Sequence, residues 1–380
     1  MRAVSTGSPS LWSIDASRAV GVTSSLLSDE LRPGFVAGIR DEYEALREGH
    51  GGRSRSTLLP LVEARRNRLP IDWAQYRPLV PRRPGVTHFD EYSLAEISRY
   101  IDWTPFFDVW EIDGRYPGIL DDSKVGEQAT KVFNDAQEML AQMIAEKWLT
   151  ARGVIGLFPA GSIGDDIELY ADASRREVAS TVHTLRQQMA KSNGRHNMAL
   201  ADFIAPKESG LKDYLGLFAV TAGIGLPEIV ERFESAHDDY RAIMAKALAD
   251  RLAEAFAELL HQRVRREFWG YAPGEDLDNG ALIAEQYRGI RPAPGYPACP
   301  DHTEKGELFR LLDVPAKTGI TLTESFAMWP AASVSGYYFA HPEAAYFGVG
   351  RIGKDQLEDY ARREGMDLSL IHISEPTRPY

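Results

Sequence analysis

An α+β fold is what this sequence predicts: a mostly antiparallel twisted sheet flanked by helices, one of them long. Three observations carry the prediction. Strand-like and helix-like stretches follow one another without a regular βαβ alternation. GVIGLFPA at 153–160 and DIELY at 166–170 are separated by the turn formers Gly161, Ser162 and Gly164, a spacing that pairs them as antiparallel neighbours. From Pro227 no further glycine or proline interrupts the chain until Gly270, and Met244, Leu248, Leu252, Phe256, Leu260 and Val264 step by four along one stripe.

The totals bound the function class. With 380 residues, 44% hydrophobic and 26% charged, the chain is an ordinary globular sequence sized for one large domain plus an appended piece. No apolar run reaches membrane-spanning length and no signal-peptide pattern opens the chain, so a soluble, cytoplasmic protein with no membrane partner is expected. The net charge of −12 argues against nonspecific nucleic-acid binding. Residues 51–85 depart from this, with eight arginines against Glu63 and Asp72, and read as a solvated linker. A single cysteine, Cys299, excludes an internal disulfide, and no Cys/His cluster has zinc spacing.

In chain order, residues 1–10 are small and polar, and Phe35, Ile39, Tyr43 and Leu46 then fall at helical spacing. The Gly, Ser, Arg and Pro mixture of 48–85 reads as a linker, with a domain boundary near 86. SLAEISRYIDWTPFF gives a short helix, and Gly126–Leu149 a longer one with Val132, Leu140, Met143 and Trp148 as apolar positions. The SxxE box at Ser174–Glu177 predicts a helix to about Ala190. MALADFIA at 198–205 and LGLFAVTAG at 215–223 read as buried strands. The long helix would run roughly 60 Å at about 1.5 Å per residue, so a bend or break is expected in it. Asp250 and Glu254 on it could face the cleft, but charged residues on a long amphipathic helix are solvated far more often than functional. GELFRLLDV makes a short helix, SVSGYYFA and AAYFGVG are extended, and KDQLEDYARREG is a terminal helix ending at Gly365.

RPAPGYPACPDHTEK, residues 291–305, is the least ordinary stretch. Pro292, Pro294, Pro297 and Pro300 each fix φ and remove a donor, so the backbone runs as a stiff extended ribbon able to hold unpaired groups toward a ligand. Arg291 at its head suits a carboxylate, Gly295 permits close approach, and Tyr296 offers a ring face. The plainer alternative is a proline-rich surface loop. GVGRIG at 348–353 matches GxGxxG, but the βαβ units and distal acidic residue of a dinucleotide site have no room to follow it. GxSxG, P-loop and HExxH patterns are absent.

The ribbon, together with TLTESFAMWPAASVSGYYFAHPEAAYF (321–347) and YIDWTPFF (100–107), resembles the C-terminal activation module of cobalamin-dependent methionine synthase. The similarity runs from about residue 11 to 366. It implies four parts: residues 1–47 as the end of a cobalamin-binding domain, 48–85 as a linker, 86–366 as an S-adenosylmethionine-binding activation domain, and 367–380 as an atypical tail excluded from fold reasoning. Ala16 matches a position near the corrin. The family's DxHxxG cobalamin-ligand motif is absent, so cobalamin is expected on a module outside this chain, as are the family's zinc, homocysteine and folate sites.

The same resemblance supplies the ligand set for S-adenosylmethionine. Arg291 matches a contact suited to the ligand carboxylate, and Asp102 an acidic contact suited to its amino group. Ala293 and Gly295 match backbone contacts, and Tyr346 and Phe347 an aromatic pair able to cover adenosine or face the sulfonium. Without the resemblance, Asp102 reads as a helix cap and the aromatic pair as core. The implied role is reactivation: a methyl group from S-adenosylmethionine, with an electron from flavodoxin or a similar reductase, restores cob(II)alamin. That makes the chain part of a methyltransferase that does not form methionine unaided, its partners being the cobalamin-binding module and the reductase. Two other readings stay open, a docking module without turnover and a methyltransferase for another acceptor.

Overall fold

The computed structural model describes residues 57–192 and 194–366. Ala16, the helical pattern around Phe35–Leu46 and the tail at 367–380 lie outside them.

From Leu58 on, the arginine-rich stretch is anchored to the body of the molecule. Helix α1 (Leu61–Arg66) is tied by Arg65 to Asp165 at 2.7 Å and to Asp359 at 2.6 Å. Further on, Arg288 donates to the Tyr76 hydroxyl at 2.7 Å and Trp269 Nε1 donates to Leu79 O at 2.8 Å. Strand β1 (Gly85–Tyr92) follows, an element without a clean apolar alternation in the sequence, because apolar Val86 lies on the exposed side with His88 and Asp90 while polar Thr87 lies on the half-buried side with Phe89. Helix α2 (Leu94–Ile97) is capped by Ser93 Oγ, which accepts from Glu96 N. Helix α3 (Thr104–Asp108) carries Pro105 in its first turn, where the missing N–H costs nothing. Helix α4 (Gly126–Ala145) buries Ala129, Val132, Ala136, Met139, Leu140 and Met143 on one stripe.

The sheet is built from β1, β2 (Thr150–Ile163), β3 (Asp166–Tyr170), β4 (Val178–His183), β5 (Asp213–Ile224) and, after the intervening helices, β8 (Ser333–Tyr338). Its order is β4-β3-β2-β5-β8, every pairing antiparallel. Long β2 pairs with β5 along one edge, while its other edge is shared between β1 at 151–157 and β3 at 160–163. After β5 come α5 (Leu226–Ser235), α6 (Asp239–Arg263), α7 (Asn279–Ile283), α8 (Glu304–Leu312) and α9 (Val314–Thr318). A small ribbon, β6 (Thr321–Leu322) with β7 (Met328–Trp329), precedes β8, and α10 (Lys354–Glu364) closes the described chain before Gly365, which takes φ +68°.

Helices cover both faces. Phe256 and Leu260 of α6 lie over Gly153 of β2, in one core with Ile155, Leu157, Phe218 and Tyr338. On the opposite face Leu308, Phe309, Leu312 and Val314 pack on Leu215, Leu217, Ala219 and Tyr337. Phe256 has no exposed surface, and truncating such a side chain to alanine costs about 3–5 kcal/mol.

Three local expectations are corrected. The SxxE segment opens no helix: Asp172 Oδ1 accepts from Ser174 N at 2.7 Å, Arg175 turns to φ +56°, and residues 178–183, rich in β-branched side chains, pair with β3. Residues 198–205 are not a strand, because Asp202 folds back to accept from Ala199 N and from buried Arg186, leaving one 3₁₀ turn at Leu200–Phe203. The stretch 344–350 is irregular, so no strand precedes GVGRIG. The long helix does break, at His237 with φ +57°, and Asp238 restarts it by accepting from Arg241 N. No helix among the described residues is long and apolar enough to cross a membrane.

Candidate functional site

The ribbon begins as an extension of the sheet edge. Ile290 and Phe339 exchange backbone hydrogen bonds at 3.1 and 3.0 Å, and Tyr337 N donates to Pro292 O at 2.9 Å. The approach is close enough that a side chain on Gly336 would meet Pro292 O at 2.5 Å. Arg291, between these anchors, sends its guanidinium toward the last turns of α6. There Nη1 lies 2.6 Å from Glu258 Oε2, donates to the Tyr287 hydroxyl at 2.7 Å and faces His261 Nδ1 at 3.4 Å. A fifth of the Arg291 side chain stays exposed. The hydrogen bonds of this guanidinium to the described residues run through Nη1, which also makes the close contact with Glu258, while Nε and Nη2 have no hydrogen-bond partner among them.

The electrostatics hold the arginine charged. Burial alone lowers its pKa, but Glu258 first and then Tyr287, Tyr346 and Glu254 outweigh it, so the net direction is upward. His261 goes the other way. Burial, with the charges of Arg265 and Arg291, holds it neutral well below its ordinary range, and its Nδ1, facing an arginine donor, puts the ring proton on Nε2. Behind this pair Arg265 grips Glu275 through Nε and Nη2 and lies over the Tyr287 ring at 4.0 Å.

The structure brings some of the expected residues together. The Tyr346 hydroxyl accepts from Arg291 N at 3.0 Å, and the residue is 41% exposed. Ala293 O accepts from Tyr296 N at 3.2 Å, while the Ala293 N–H has no partner among the described residues. Gly295 is spent internally: its N–H donates to Cys299 O at 2.7 Å, its φ is +96°, and the group that approaches it is the His302 ring. Phe347 is buried, tilted against Phe203, and its ring belongs to the core rather than to the surface beside Arg291. Asp102 makes no ion pair with Arg291; its Oδ1 accepts from Thr104 N at 3.0 Å, the turn-capping role that its local sequence suggests. Its loop is nevertheless tied to the cluster, since Asn279 Nδ2 donates to Ile101 O at 3.1 Å and the Tyr100 hydroxyl donates to Gln262 at 2.7 Å, next to His261. Cys299 is buried and free, its thiol pushed upward by burial and then by Glu304.

Cavities of about 400, 690 and 470 Å³ open elsewhere, beside Lys147, Arg232 and Glu307 respectively. The Arg291 cluster therefore stands out by its polar chemistry, not by enclosed volume. No group of His, Cys, Asp or Glu among the described residues is arranged to hold a metal ion.

An antiparallel sheet that presents one pre-set arginine from its edge, braced by a buried helix, defines an α+β module of a different kind from a dinucleotide-binding domain. Comparison with known proteins agrees. A structure described as the crystal structure of the MetH reactivation domain bound to AdoHcy is 55% identical to this chain, covers 82% of it and 95% of itself, and superposes with a TM-score of 0.80. The chain belongs to the family described as vitamin B12 dependent methionine synthase, activation domain, whose model matches residues 93–365.

Proposed function

We propose that this chain binds S-adenosylmethionine along the Arg291 ribbon and presents its methyl group for reactivation of a cobalamin carried by another module. One observation carries the reading: Arg291 has Nη1 locked on Glu258 and Tyr287 while Nε and Nη2 remain open, the edge-on geometry that receives a carboxylate. The Ala293 N–H adds a donor beside it, and the exposed Tyr346 ring offers a face to a sulfonium or an adenine. Asp102 keeps one carboxylate oxygen beyond the turn that it caps, suited to the ligand's ammonium. Gly295 and Phe347 act through position, Gly295 by letting the ribbon pass His302 and Phe347 by anchoring the Tyr346 segment to the core.

The AdoHcy named for the 55% identical neighbour supports this choice of ligand. In this reading reduced cobalt accepts the methyl group, so the chain's task is to orient the donor, and no general base is needed. The electron that the rescue requires is assigned, on the resemblance, to flavodoxin or a similar reductase. Ala16 belongs to the same proposal as a corrin-side position.

Calorimetric titration with S-adenosylmethionine tests it. Saturable binding by the parent, with a loss of at least about tenfold, near 1.4 kcal/mol, in Arg291→Ala and in Asp102→Asn, is the expected result. A folded parent that does not bind, or variants that bind as the parent does, would overturn the assignment.

A further inference from the structure

We infer that Glu258 is the positioning residue for the ligand-facing arginine, the group that fixes Arg291 in the orientation a carboxylate needs. This rests on the ligand reading above and deepens it. Glu258 is a charged residue in the stretch 255–262 of α6, every residue of which is buried, and 6% of its own surface is exposed. A carboxylate so placed is costly unless it is paired. Its Oε2 is paired, 2.6 Å from Arg291 Nη1. Its Oε1 has no hydrogen-bond partner among the described residues and lies 3.8 Å from Arg265 Nη1, itself unpartnered. Glu258 thus sits between two arginines, one fixed by Glu275 and one that keeps a fifth of its side chain exposed.

The consequence for Arg291 is geometric. A free arginine side chain must lose rotamer freedom to receive a carboxylate on one edge, and pre-fixing it removes that loss from the binding step. Three acceptors surround Nη1: Glu258, the Tyr287 hydroxyl and His261 Nδ1. Only Glu258 carries a charge, because His261 is held neutral and Tyr287 is pushed upward by burial. Its negative charge also opposes an incoming carboxylate, but the amino-acid end of the ligand is zwitterionic and its ammonium offsets that repulsion. Orientation therefore decides the sign, and loss of the Glu258 charge weakens binding.

The test is Glu258→Gln, near-isosteric and uncharged, titrated with two compounds: S-adenosylhomocysteine, which carries the amino-acid end, and 5′-methylthioadenosine, which lacks it. The proposal expects at least tenfold weaker binding of the first and less than twofold change in the second. In an Arg291→Gln background, which also removes the unpaired buried cation that could unfold the single variant, Glu258→Gln should have no further effect on S-adenosylhomocysteine. Equal losses for both compounds, unchanged binding, tighter binding, or a full additional loss in the Arg291→Gln background each overturn it while leaving the ligand reading intact. A parent that binds neither compound overturns both.

Discussion

The Cα of Gly295 lies so close to the imidazole of His302 that a methyl group built on it would come within 2.1 Å of Cε1. The ring cannot easily withdraw, because buried Lys305 holds its Nδ1 at 2.7 Å and is itself fixed on Phe326 O at 3.0 Å. Burial, with Lys305, lowers the His302 pKa, consistent with a neutral ring that accepts from the ammonium. The ribbon's turn at 293–299 is thus clamped from outside by a histidine and closed from inside by the Gly295–Cys299 hydrogen bond.

Gly295→Ala should consequently destabilise the fold by two separable effects. The left-handed backbone, φ +96°, costs about 1–3 kcal/mol for a residue with a Cβ, and the clash adds to it. In the double variant Gly295→Ala/His302→Ala the clash vanishes and the backbone strain stays, so urea denaturation should show partial recovery relative to the single variant. Full recovery would mean that the backbone conformation is not strained, and no recovery that the clash is absorbed elsewhere.

How far all this was legible in the sequence depends on what each residue does. The proline-rich flanks of Arg291 exclude a helix and allow an extended ribbon or a plain surface loop, and it is the resemblance to the activation module that gives this arginine a ligand role. Glu258 and His261 did not, because charged residues on amphipathic helices are mostly solvated. A signal was available: around them run Ala245, Ala247, Ala249, Ala253, Ala255, Ala257 and Leu259, so α6 is apolar between the steps of its stripe as well as along it. In its later part, 255–262, every residue is buried, so an acid and a histidine there have no solvated face to occupy. Strand β4 was read as helix for a different reason, since Ser174–Glu177 satisfies the capping pattern locally while pairing with β3 decides the outcome from a distance. The inward ring of Phe347 follows from its packing on Phe203, which no local pattern encodes.

Arg186 is expected to be the most costly arginine to lose. It is fully buried and donates to Asp165 at 2.7 Å, to both oxygens of Asp202 at 2.8 and 2.7 Å, and to Asn197 O at 2.7 Å. Arg186→Met leaves two buried carboxylates without their main partner, and removing one member of such a network costs about 3–5 kcal/mol. Lys354→Ala, which breaks the exposed pair with Glu358 in α10, should leave the denaturation midpoint unchanged. Similar midpoints for the two variants would show that Arg65 suffices for Asp165 and the Ala199 N–H for Asp202.

The pH dependence of stability should be a balance of two opposed groups. Burial, with Arg288, pushes His341 down to about 4; its ring is packed edge-on against Trp73 and Tyr76 and its Nε2 has no partner among the described residues. The unfolded chain therefore binds more protons than the folded one between about 4 and the ordinary 6.5, so this contribution is present above 6.5 and lost as pH falls. His261 acts in the same direction. Asp213 opposes them: burial raises it to about 6, against backbone hydrogen bonds from Ala205 and Tyr214. Its contribution is fully present below about 3.8 and lost as pH rises through 6. Buried Glu304, raised by burial and then by Glu364, adds to Asp213. Across the window from 4 to 6 the two kinds of group cancel in part, and single variants should unmask them. His341→Phe keeps an aromatic ring for the edge-on contacts and should make the loss of melting temperature on acidification shallower than in the parent. Asp213→Asn lowers stability overall, because its amide must face one of two backbone N–H donors, yet should make the acid-side loss steeper. Parallel melting-temperature curves for parent and both variants between pH 4 and 6.5 would refute the assignment, since no titrating group would then have been removed.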